Sequence, residues 1–598
     1  MADAGSSTST MNGPGWTAFE ARKDLEVYGD NAHLLFVADL RLNFDDVDTF
    51  ASTALTDGSN DKKCDLVSVD RDAGVIVVAQ GFVKGNPDGK APPANKATDL
   101  NAAVSWLLAG DLDQVPETLR SAAIEARDAL RADEITEIQI WFTHNMDEVK
   151  NVDDELDQAR KTADALVRQN FPDAAVDVTY AQVGRKTLEA DYKKIQATIL
   201  VTDEIEFPIV DGFETAGTSW SAYNTAILAT DLRQLWKKHG TLLMSPNIRD
   251  YLGVRKSERN INFGIKKTAK ERPEDFQIFN NGITAMVHEF KVEGEGDTRK
   301  LVVTGLGIVN GGQTTGSIGT LADADVEALS RARVQVRFVK SSDLEIMESV
   351  VRYNNTQNKV ETTDFRSKDA VQDRLRAEFE KVPDAQYRGG RRGGVDDAIK
   401  RDRSVLPDSS VAQALAAFHG EPNLAYNELR QIWDNDATYA RFFNEFVSAR
   451  HIVFCYSLLK AVEKAKLDIS SKDTAKRTKA ETGHTTFFSN RGSSLLLVGA
   501  IGLSVETILG RAVVNNYELQ FKQNLSPEKA RELWQPIVAA GLAFSSRLTN
   551  ATNLGLKNQD RVKQAITDFT GLIEATRDAD TAKFDTFADV VLPAADKT

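Results

Sequence analysis

Strand patterns that alternate with helical patterns over the first ~190 residues limit the fold of this chain more than any other feature. The β-rich runs are Leu66–Val69, Gly74–Val83, Ile135–Thr143 and Val176–Val183. Strands separated by helices predict a mixed α/β sheet. Beyond Ser409 the apolar spacing becomes helical, as at Val411, Leu415 and Ala416, which predicts a mainly helical C-terminal region.

The length of the chain sets its domain organisation. With 598 residues it can build several domains, each with its own core. We place a tail at residues 1–16, an α/β domain at 17–190, a central α+β domain at 191–405 and a helical domain at 406–598. Residues 1–15 lack the basic start and apolar core of a signal peptide, so we expect a disordered tail there.

Composition excludes three classes of protein. A net charge of −15 rules out a histone-like polycation, although a local basic groove is compatible with it. Two cysteines, Cys64 and Cys455, exclude a disulfide scaffold and indicate a reduced, cytoplasmic protein, and no Cys/His cluster has zinc spacing. The most apolar run, Ser494–Leu503, is shorter than the ~20 residues of a membrane helix, so we expect no membrane partner.

A polar pair flanks the first two β-runs. Asp65 precedes one run, and Gln80 follows Val75–Ala79 after a tight turn at Asp70–Ala73. This spacing places an acidic side chain and an amide oxygen near the ends of adjacent strands. Two such oxygen donors can hold Mg²⁺, and phosphodiester hydrolysis needs that ion to activate water. The pattern resembles the metal site of PD-(D/E)xK nucleases, with Asp65 and Gln80 as candidate metal ligands and catalytic residues.

The lysine of such a site is displaced. A PD-(D/E)xK site has its lysine two residues after the second ligand, where this chain has Phe82. Lys84, on the same predicted strand, and Lys96, just before the next helix, are the candidate catalytic replacements. Further candidate carboxylates on the preceding helix are Glu20, Asp24 and Glu26. The alternative interpretation is that the pair consists of ordinary exposed polar residues at strand ends.

A glycine-rich segment follows the β-run Leu301–Thr304 and precedes Ser317–Leu321, which can begin a helix. Its central residues are Asn310, Gly311, Gly312, Gln313 and Thr314. A strand, a glycine turn and a helix N-terminus can place backbone N–H groups around an anion. No lysine follows the glycines, so the segment is not a Walker A loop, and a nucleotide-using enzyme built on it is disfavoured. A tight buried turn, in which glycine tolerates positive φ, is an equal alternative.

Two basic segments interrupt the acidic chain. One extends from Arg249 to Arg272, and the other places Arg388, Arg391 and Arg392 around a glycine-rich turn. Arginine on flexible backbone suits phosphate recognition. A solvated face with salt bridges is the alternative interpretation of either segment.

Two amide-rich segments can each have either a binding role or a purely structural role. Asn280–Thr284 has β-like flanks, and its Asn-Gly pair predicts a hairpin turn. Asn354–Asn358 follows a predicted helix, and its amides can contact base edges or phosphates, or can cap the helix.

Taken in order, these segments resemble the signature of AIPR (abortive infection phage resistance) proteins. The resemblance rests on Leu243–Gly253, Asn260, Phe279–Thr284, Ile308–Thr314, Asn354–Asn358 and Thr363–Phe365. It covers about Leu242 to Phe418 well and the flanks loosely. The ordered succession is specific, whereas any one motif alone is weak.

The resemblance implies a bacterial antiphage defence protein whose N-terminal region is nuclease-like, with a restriction-endonuclease-like mixed sheet. We therefore expect an α/β and α+β multidomain chain that binds nucleic acid and cleaves phosphodiester bonds with Mg²⁺ as cofactor. The alternative is a catalytically inactive nucleic-acid or nucleotide sensor or scaffold of a defence complex.

The expected partners are DNA or RNA, with other defence-system proteins and a second copy of the chain as further candidates. The residues expected to bind nucleic acid or phosphate are Asn247, Arg249, Asn280, Asn281, Asn310, Gly311, Gly312, Gln313, Thr314, Arg388, Arg391 and Arg392.

Overall fold

The structure is a computed structural model in which three regions follow one another along the chain: an α/β region, a second sheet and a helical region. It describes residues 13–42, 44–56, 64–85, 87, 90–196, 199, 201–240, 243–244, 256–321, 326–341, 343, 346–347, 349–350, 366, 369–389, 403–552 and 555–593.

The N-terminal region contains a four-stranded sheet in the order β1-β2-β3-β4. Its strands are β1 (Leu66–Asp70), β2 (Val75–Phe82), β3 (Glu137–His144) and β4 (Asp177–Val183). β1 and β2 form an antiparallel hairpin, and β2, β3 and β4 are parallel, which requires the long helical connections between them. The helices are α1 (Pro14–Ala21), α2 (Ala32–Leu42), α3 (Val47–Ala54), α4 (Ala94–Leu108), α5 (Glu117–Arg131), α6 (Lys150–Asn170) and α7 (Arg185–Gln196), with a 3₁₀ helix at Lys23–Asn31.

Strand β2 is buried on both faces of this sheet. Val75, Val77 and Ala79 of β2 join the apolar cluster that includes α2, and Ile76 and Val78 join the cluster of α4, α5 and α6. A strand covered on both faces is a continuous apolar run rather than an alternating one. For this reason Gln80 is the first polar side chain of β2.

The central region contains a second sheet in the order β5-β10-β8-β11-β7-β6, with β9 paired to β10. Its strands are β5 (Val201–Pro208), β6 (Gly212–Ala216), β7 (Trp220–Leu228), β8 (Ile283–Met286), β9 (Glu289–Glu293), β10 (Lys300–Asn310) and β11 (Arg333–Ser341). β8 and β11 are parallel, and the other pairs are antiparallel. The helices are α8 (Ala229–His239), α9 (Lys256–Glu271), α10 (Phe276–Phe279), α11 (Gly312–Gly319) and α12 (Val326–Leu329), with 3₁₀ turns at Pro273–Asp275 and Gly296–Thr298.

The C-terminal region is helical. Its helices are α13 (Ala370–Phe379), α14 (Asp408–Phe418), α15 (Pro422–Asn427), α16 (Leu429–Asp434), α17 (Asp436–Phe442), α18 (Ala449–Ser470), α19 (Lys479–Phe488), α20 (Ser493–Leu503), α21 (Val505–Leu509), α22 (Pro527–Leu542), α23 (Thr549–Thr552), α24 (Gln559–Thr576) and α25 (Thr581–Ala588). Short strands are β12 (Gln386–Tyr387), β13 (Val405–Leu406), β14 (Gln520–Phe521) and β15 (Val591–Leu592), and 3₁₀ turns lie at Thr474–Lys476, Asn516–Glu518, Ser545–Arg547 and Arg577–Asp580.

The most apolar run of the sequence forms a core helix. Every residue of α20 from Ser493 to Gly502 is buried, and a helix that is apolar on all sides belongs in a core. Across the described residues, no helix combines the length and apolar character needed to cross a bilayer.

The predicted coarse architecture is confirmed: two sheets with helices precede a mainly helical C-terminal region. One boundary differs from the prediction. Helix α1 begins at Pro14, inside the range assigned to a tail, because the Gly15 and Trp16 N–H groups both donate to the Glu189 carboxylate.

Two buried ion clusters join the helical region to the N-terminal region. Lys460 of α18 lies 2.5 Å from Asp46, the residue that caps α3. Arg491, just before α20, pairs with Glu125 of α5 and donates to the Val67 carbonyl of β1. The hairpin that follows Asp65 is therefore held directly by the helical region.

Candidate functional site

The β1–β2 hairpin brings Asp65 and Gln80 side by side. Leu66 pairs with Ala79, and the Asp65 N–H donates to the Ala79 carbonyl at 3.0 Å, so Asp65 lies at the start of β1 beside the end of β2. Asp65 Oδ2 accepts a hydrogen bond from the Gly81 N–H at 2.8 Å, which fixes the carboxylate next to the Gln80–Gly81 peptide.

Gln80 presents an unsatisfied oxygen there. The residue is 1% exposed, and its Oε1 accepts no hydrogen bond from any described residue. Such an atom is costly unless a water or an ion completes its bonding. Gln80 continues the row of Ile76 and Val78, which packs beneath α4. A carboxylate next to an orphaned amide oxygen fits a hard cation such as Mg²⁺.

Neither candidate lysine contacts the pair. The Lys84 backbone is bridged by Asn145, whose Oδ1 accepts from the Lys84 N–H at 3.0 Å and whose Nδ2 donates to the Lys84 carbonyl at 2.8 Å. Lys96 is half-buried in the first turn of α4. Among the ion pairs of the described residues, none joins either ammonium to Asp65. Phe82 instead packs against the apolar cluster of α4, α5 and α6.

The further candidate carboxylates are engaged elsewhere. Glu20 accepts a hydrogen bond from the Trp16 indole at 2.9 Å, Asp24 pairs with Arg22 at 2.6 Å, and Glu26 pairs with Lys23 at 2.8 Å. These partners belong to the helical segment that contains the carboxylates themselves. The contacts therefore give these side chains local structural roles.

In the central sheet, β10 leads directly into α11 through Gly311. The strand extends further than predicted, to Asn310, and the helix starts earlier, at Gly312. Gly311 has φ 95°, and a Cβ there would lie 2.8 Å from the Gly282 carbonyl oxygen. Conformation and close packing both demand glycine at this turn. Asn310 and Gln313 are half-buried on either side of it.

The segment Asn280–Gly282 connects a helix to a strand, so the predicted hairpin is wrong. Phe276–Phe279 forms the helical turn α10, and β8 begins at Ile283. Asn280 Oδ1 accepts from the Gly282 N–H at 2.9 Å, and its Nδ2 donates to Thr314 Oγ1 at 2.9 Å. This pair fastens the turn to the first residues of α11 and leaves Asn281 exposed.

A row of polar side chains crosses the sheet beside this turn. Asn310 of β10 pairs with Thr284 of β8, which in turn pairs with Arg337 of β11. Arg337 is exposed, and its Nη2 donates to Thr284 Oγ1 at 3.1 Å. Sequence reasoning missed this cation, although its position between Val336 and Phe338 in an alternating strand was an available signal.

The basic segments are only partly described. Arg388 is half-buried, and its carbonyl accepts from Arg376 at 3.1 Å. In the other segment, Arg272 pairs with Asp275 and its guanidinium lies over the Phe279 ring. The remaining candidates, Asn247, Arg249, Arg391 and Arg392, lie outside the described residues, as does the amide-rich segment Asn354–Asn358.

A second set of chemically capable side chains was missed because it is assembled from distant segments. His419, His451 and Cys455 place their ligand atoms within 4.8 Å of one another. Burial lowers the pKa of His419 to about 2 and that of His451 to about 4, and burial raises the pKa of the Cys455 thiol. The spacing of His451 and Cys455, four residues apart in a helix, was the available signal.

Two further histidines are buried at the ends of N-terminal elements. Burial, together with repulsion from His144, lowers the pKa of His33 to about 3, and neither ring nitrogen has a hydrogen-bond partner among the described residues. His144 ends β3 and lines a cavity of about 260 Å³ with Asn145, Arg185 and Glu189. The cavity therefore adjoins the asparagine that holds the Lys84 backbone.

These features define a mixed α/β protein that combines the oxygen donors of Asp65 and Gln80 in the first sheet with a glycine-rich turn in a second sheet. The model of the family described as "AIPR protein" matches residues 244–565, more than half of the chain. The chain belongs to the AIPR family, and the match extends beyond the sequence motifs into the helical region. This membership is consistent with antiphage defence by abortive infection. A search of curated proteins and a search of solved structures each found no match.

Proposed function

We propose that this AIPR protein binds nucleic acid and cleaves phosphodiester bonds with Mg²⁺ at the Asp65–Gln80 pair. The observation that carries the proposal is the orphaned Gln80 Oε1, close in the chain to the Gly81 N–H that fixes the Asp65 carboxylate. A buried amide oxygen without a donor implies a missing partner, and a hard cation supplies one that the neighbouring carboxylate also favours.

In this proposal Asp65 and Gln80 hold the ion, which when bound supplies activated water and neutralises charge on the phosphate. The Gly81 N–H keeps the Asp65 carboxylate in position. Lys96, from the start of α4, or Lys84, two residues after the end of β2, orients the water against the scissile phosphate. Since no ion pair among the described residues joins either ammonium to Asp65, one ammonium turns toward the site in this proposal when substrate binds.

The test compares two carboxylates of the same hairpin. Asp65→Asn should abolish Mg²⁺-dependent cleavage of DNA or RNA, because it removes a charged oxygen ligand. The matched control is Asp72→Asn, since Asp72 is exposed in the turn between β1 and β2. Cleavage of labelled single- and double-stranded DNA and RNA is measured with Mg²⁺ and with a chelator. Wild-type cleavage by Asp65→Asn would refute the assignment.

A second candidate function is an inactive nucleic-acid sensor, and the observation that favours it is Phe82. This side chain occupies the lysine position and is packed into the apolar cluster beneath α4. A sensor predicts nucleic-acid binding by the wild-type chain without cleavage in Mg²⁺. Phe82→Lys should then confer cleavage if the lysine is the one missing group.

The central region is proposed to contact phosphate through the start of α11, with Asn310, Gln313 and Thr314 beside the helix N-terminus. Gly312→Val should remove nucleotide or nucleic-acid binding while the chain stays folded. Affinity and thermal stability are measured together, and a folded variant with wild-type affinity for every ligand tested would refute the proposal.

The proposed phosphate contacts of Arg388, Arg391 and Arg392 have a separate test. Replacement of these residues by glutamine should make the salt dependence of binding shallower, by about one unit of slope per lost contact. An unchanged slope and affinity would assign the three arginines to the solvated surface.

A further inference from the structure

Three side chains with metal-binding chemistry meet inside the helical region, in elements other than those of the candidate sites described above. His419 directly follows α14, and His451 and Cys455 lie one turn apart on α18. Cys455 and His451 are fully buried, and His419 is half-buried. All three belong to the part of the chain that matches the AIPR family.

Two of the three separations between the ligand atoms are close to those around one tetrahedral ion. His419 Nε2 and His451 Nε2 are 3.0 Å apart, and Cys455 Sγ is 3.4 Å from His451 Nε2. Two nitrogens bound to one Zn²⁺ at about 2.0 Å are about 3.3 Å apart, and a thiolate sulfur at about 2.3 Å lies about 3.5 Å from each. All three ligand atoms lie within 4.8 Å of one another, so closing the His419–Cys455 separation to about 3.5 Å would complete the arrangement. We propose that His419, His451 and Cys455 bind one Zn²⁺ ion.

The surroundings orient the two imidazoles for this role. His451 Nδ1 lies 2.8 Å from the Leu519 carbonyl oxygen. Because a carbonyl can only accept a hydrogen bond, Nδ1 is the donor, and Nε2 is the ring nitrogen with a lone pair. A hydrogen bond from the second ring nitrogen to a carbonyl is typical of zinc-bound histidine. The Tyr517 ring stacks on His419 at 3.9 Å, and its hydroxyl donates to the Arg441 carbonyl at 2.5 Å.

Two groups compete for one acceptor in this cluster. His451 Nε2 has a single lone pair, and both His419 Nε2 and Cys455 Sγ lie within hydrogen-bonding distance of it, so only one of them can donate to it at a time. An ion between the three atoms uses all three lone pairs, and the Cys455 thiol loses its proton to solvent as the sulfur–metal bond forms.

The donor set selects the class of ion. Imidazole and thiolate suit zinc and copper, whereas Mg²⁺ and Ca²⁺ require oxygen donors. The three ligands leave a fourth position, which solvent can reach beside the half-buried His419. Since α14, α18 and the segment around Leu519 all meet here, the ion would tie three parts of the helical region together.

The experiment uses the full chain, stripped with a chelator and then titrated with Zn²⁺ alone and, separately, with Co²⁺ as a spectroscopic substitute. We expect one equivalent of Zn²⁺ per chain, a rise in thermal stability on binding, and a thiolate-to-cobalt charge-transfer band. Cys455→Ala should remove the band and weaken Zn²⁺ binding at least tenfold. Cys64→Ala is the matched control, because Cys64 is the other cysteine and lies buried in the N-terminal region.

If Cys455→Ala does not fold, His419→Gln serves instead, since His419 is the least buried of the three residues. Absence of Zn²⁺ binding by the wild-type chain, or unchanged binding by both variants, would overturn the proposal. So would binding of Cu²⁺ without Zn²⁺. These readouts do not involve cleavage, and they are independent of the proposed function.

Discussion

At the scale of single residues, Gly311 is constrained twice. Its φ of 95° strains any other residue, and an added Cβ would meet the Gly282 carbonyl oxygen at 2.8 Å and Ile283 Cγ1 at 2.7 Å. Gly311→Ala should therefore lower the free energy of unfolding by about 1–3 kcal/mol, because the backbone must shift as well as adopt an unfavourable φ. Chemical denaturation of the variant and the wild type measures this loss.

Gly296→Ala separates the two causes. Gly296 also has positive φ, 54°, but a Cβ there meets no atom within 4 Å. This control should lose only the cost of the unfavourable φ, so its loss should be clearly smaller than that of Gly311→Ala. Equal losses in the two variants would show that the contact with Gly282 is unimportant.

Residue-scale predictions from the sequence were best where the contact is local. Asp65 and Gln80 belong to one hairpin, and the short turn between two adjacent strands was enough to predict that the two residues lie near the same strand ends. The bond between Asn280 and Thr314 joins residues 34 positions apart, and the meeting of His419 with His451 depends on how two helices pack. Neither contact has a periodic signal in the sequence.

At the scale of elements, Lys460 of α18 connects that helix to the cap of α3. Its ammonium lies 2.5 Å from Asp46 and 2.8 Å from Glu463, and all three side chains are nearly buried. Lys460→Met should destabilise the chain by about 3–5 kcal/mol, because it leaves the Asp46 charge buried without a partner. Lys464→Met is the control, since Lys464 is on the same helix, is far less buried than Lys460 and should change stability by less than about 0.5 kcal/mol.

A double-mutant cycle identifies the cause of this loss. Asp46→Asn keeps a good helix cap but removes the charge, so combining it with Lys460→Met should recover part of the stability. Strictly additive losses in denaturant unfolding would contradict the ion-pair explanation. Apolar periodicity predicted that this region is helical. It could not predict the contact between α18 and the cap of α3, because a buried lysine cannot be distinguished from a surface lysine in the sequence.

The same cluster predicts a pH dependence. Burial, with repulsion from Asp46, raises the pKa of Glu463 to about 7, although Lys460 opposes the shift. Between the unfolded pKa of 4.5 and about 7 the folded state holds the extra proton, so this contribution is complete at low pH and is lost as pH rises. Unfolding measured from pH 5 to 8 should show a fall of about 1–3 kcal/mol that is absent in Glu463→Gln. A parallel pH profile in the variant would exclude Glu463 as the source.

At the scale of the whole molecule, the helical region supports the strand that follows the candidate metal ligand Asp65. Arg491 pairs with Glu125 at 2.5 Å and donates to the Val67 carbonyl, and Tyr426 of α15 donates to the same carboxylate at 3.1 Å. The sequence predicted two sheets and a helical region from periodicity. It could not predict this junction, because residues 67 and 491 are brought together only by the docking of complete regions.

The junction makes stability in the N-terminal hairpin depend on a residue of the family-matched region. Arg491→Met removes both bonds and takes away the cation that pairs with the Glu125 carboxylate, so we expect a loss of about 3–5 kcal/mol. Amide hydrogen exchange should accelerate in β1 and β2 more than in the central sheet. Arg491→Lys retains the charge without the two-pronged geometry and should show an intermediate effect. Arg561→Met, at an exposed site on α24, is the control. If amide exchange in β1 is equally slow in Arg491→Met and in Arg561→Met, the hairpin is stable without its contact to the helical region.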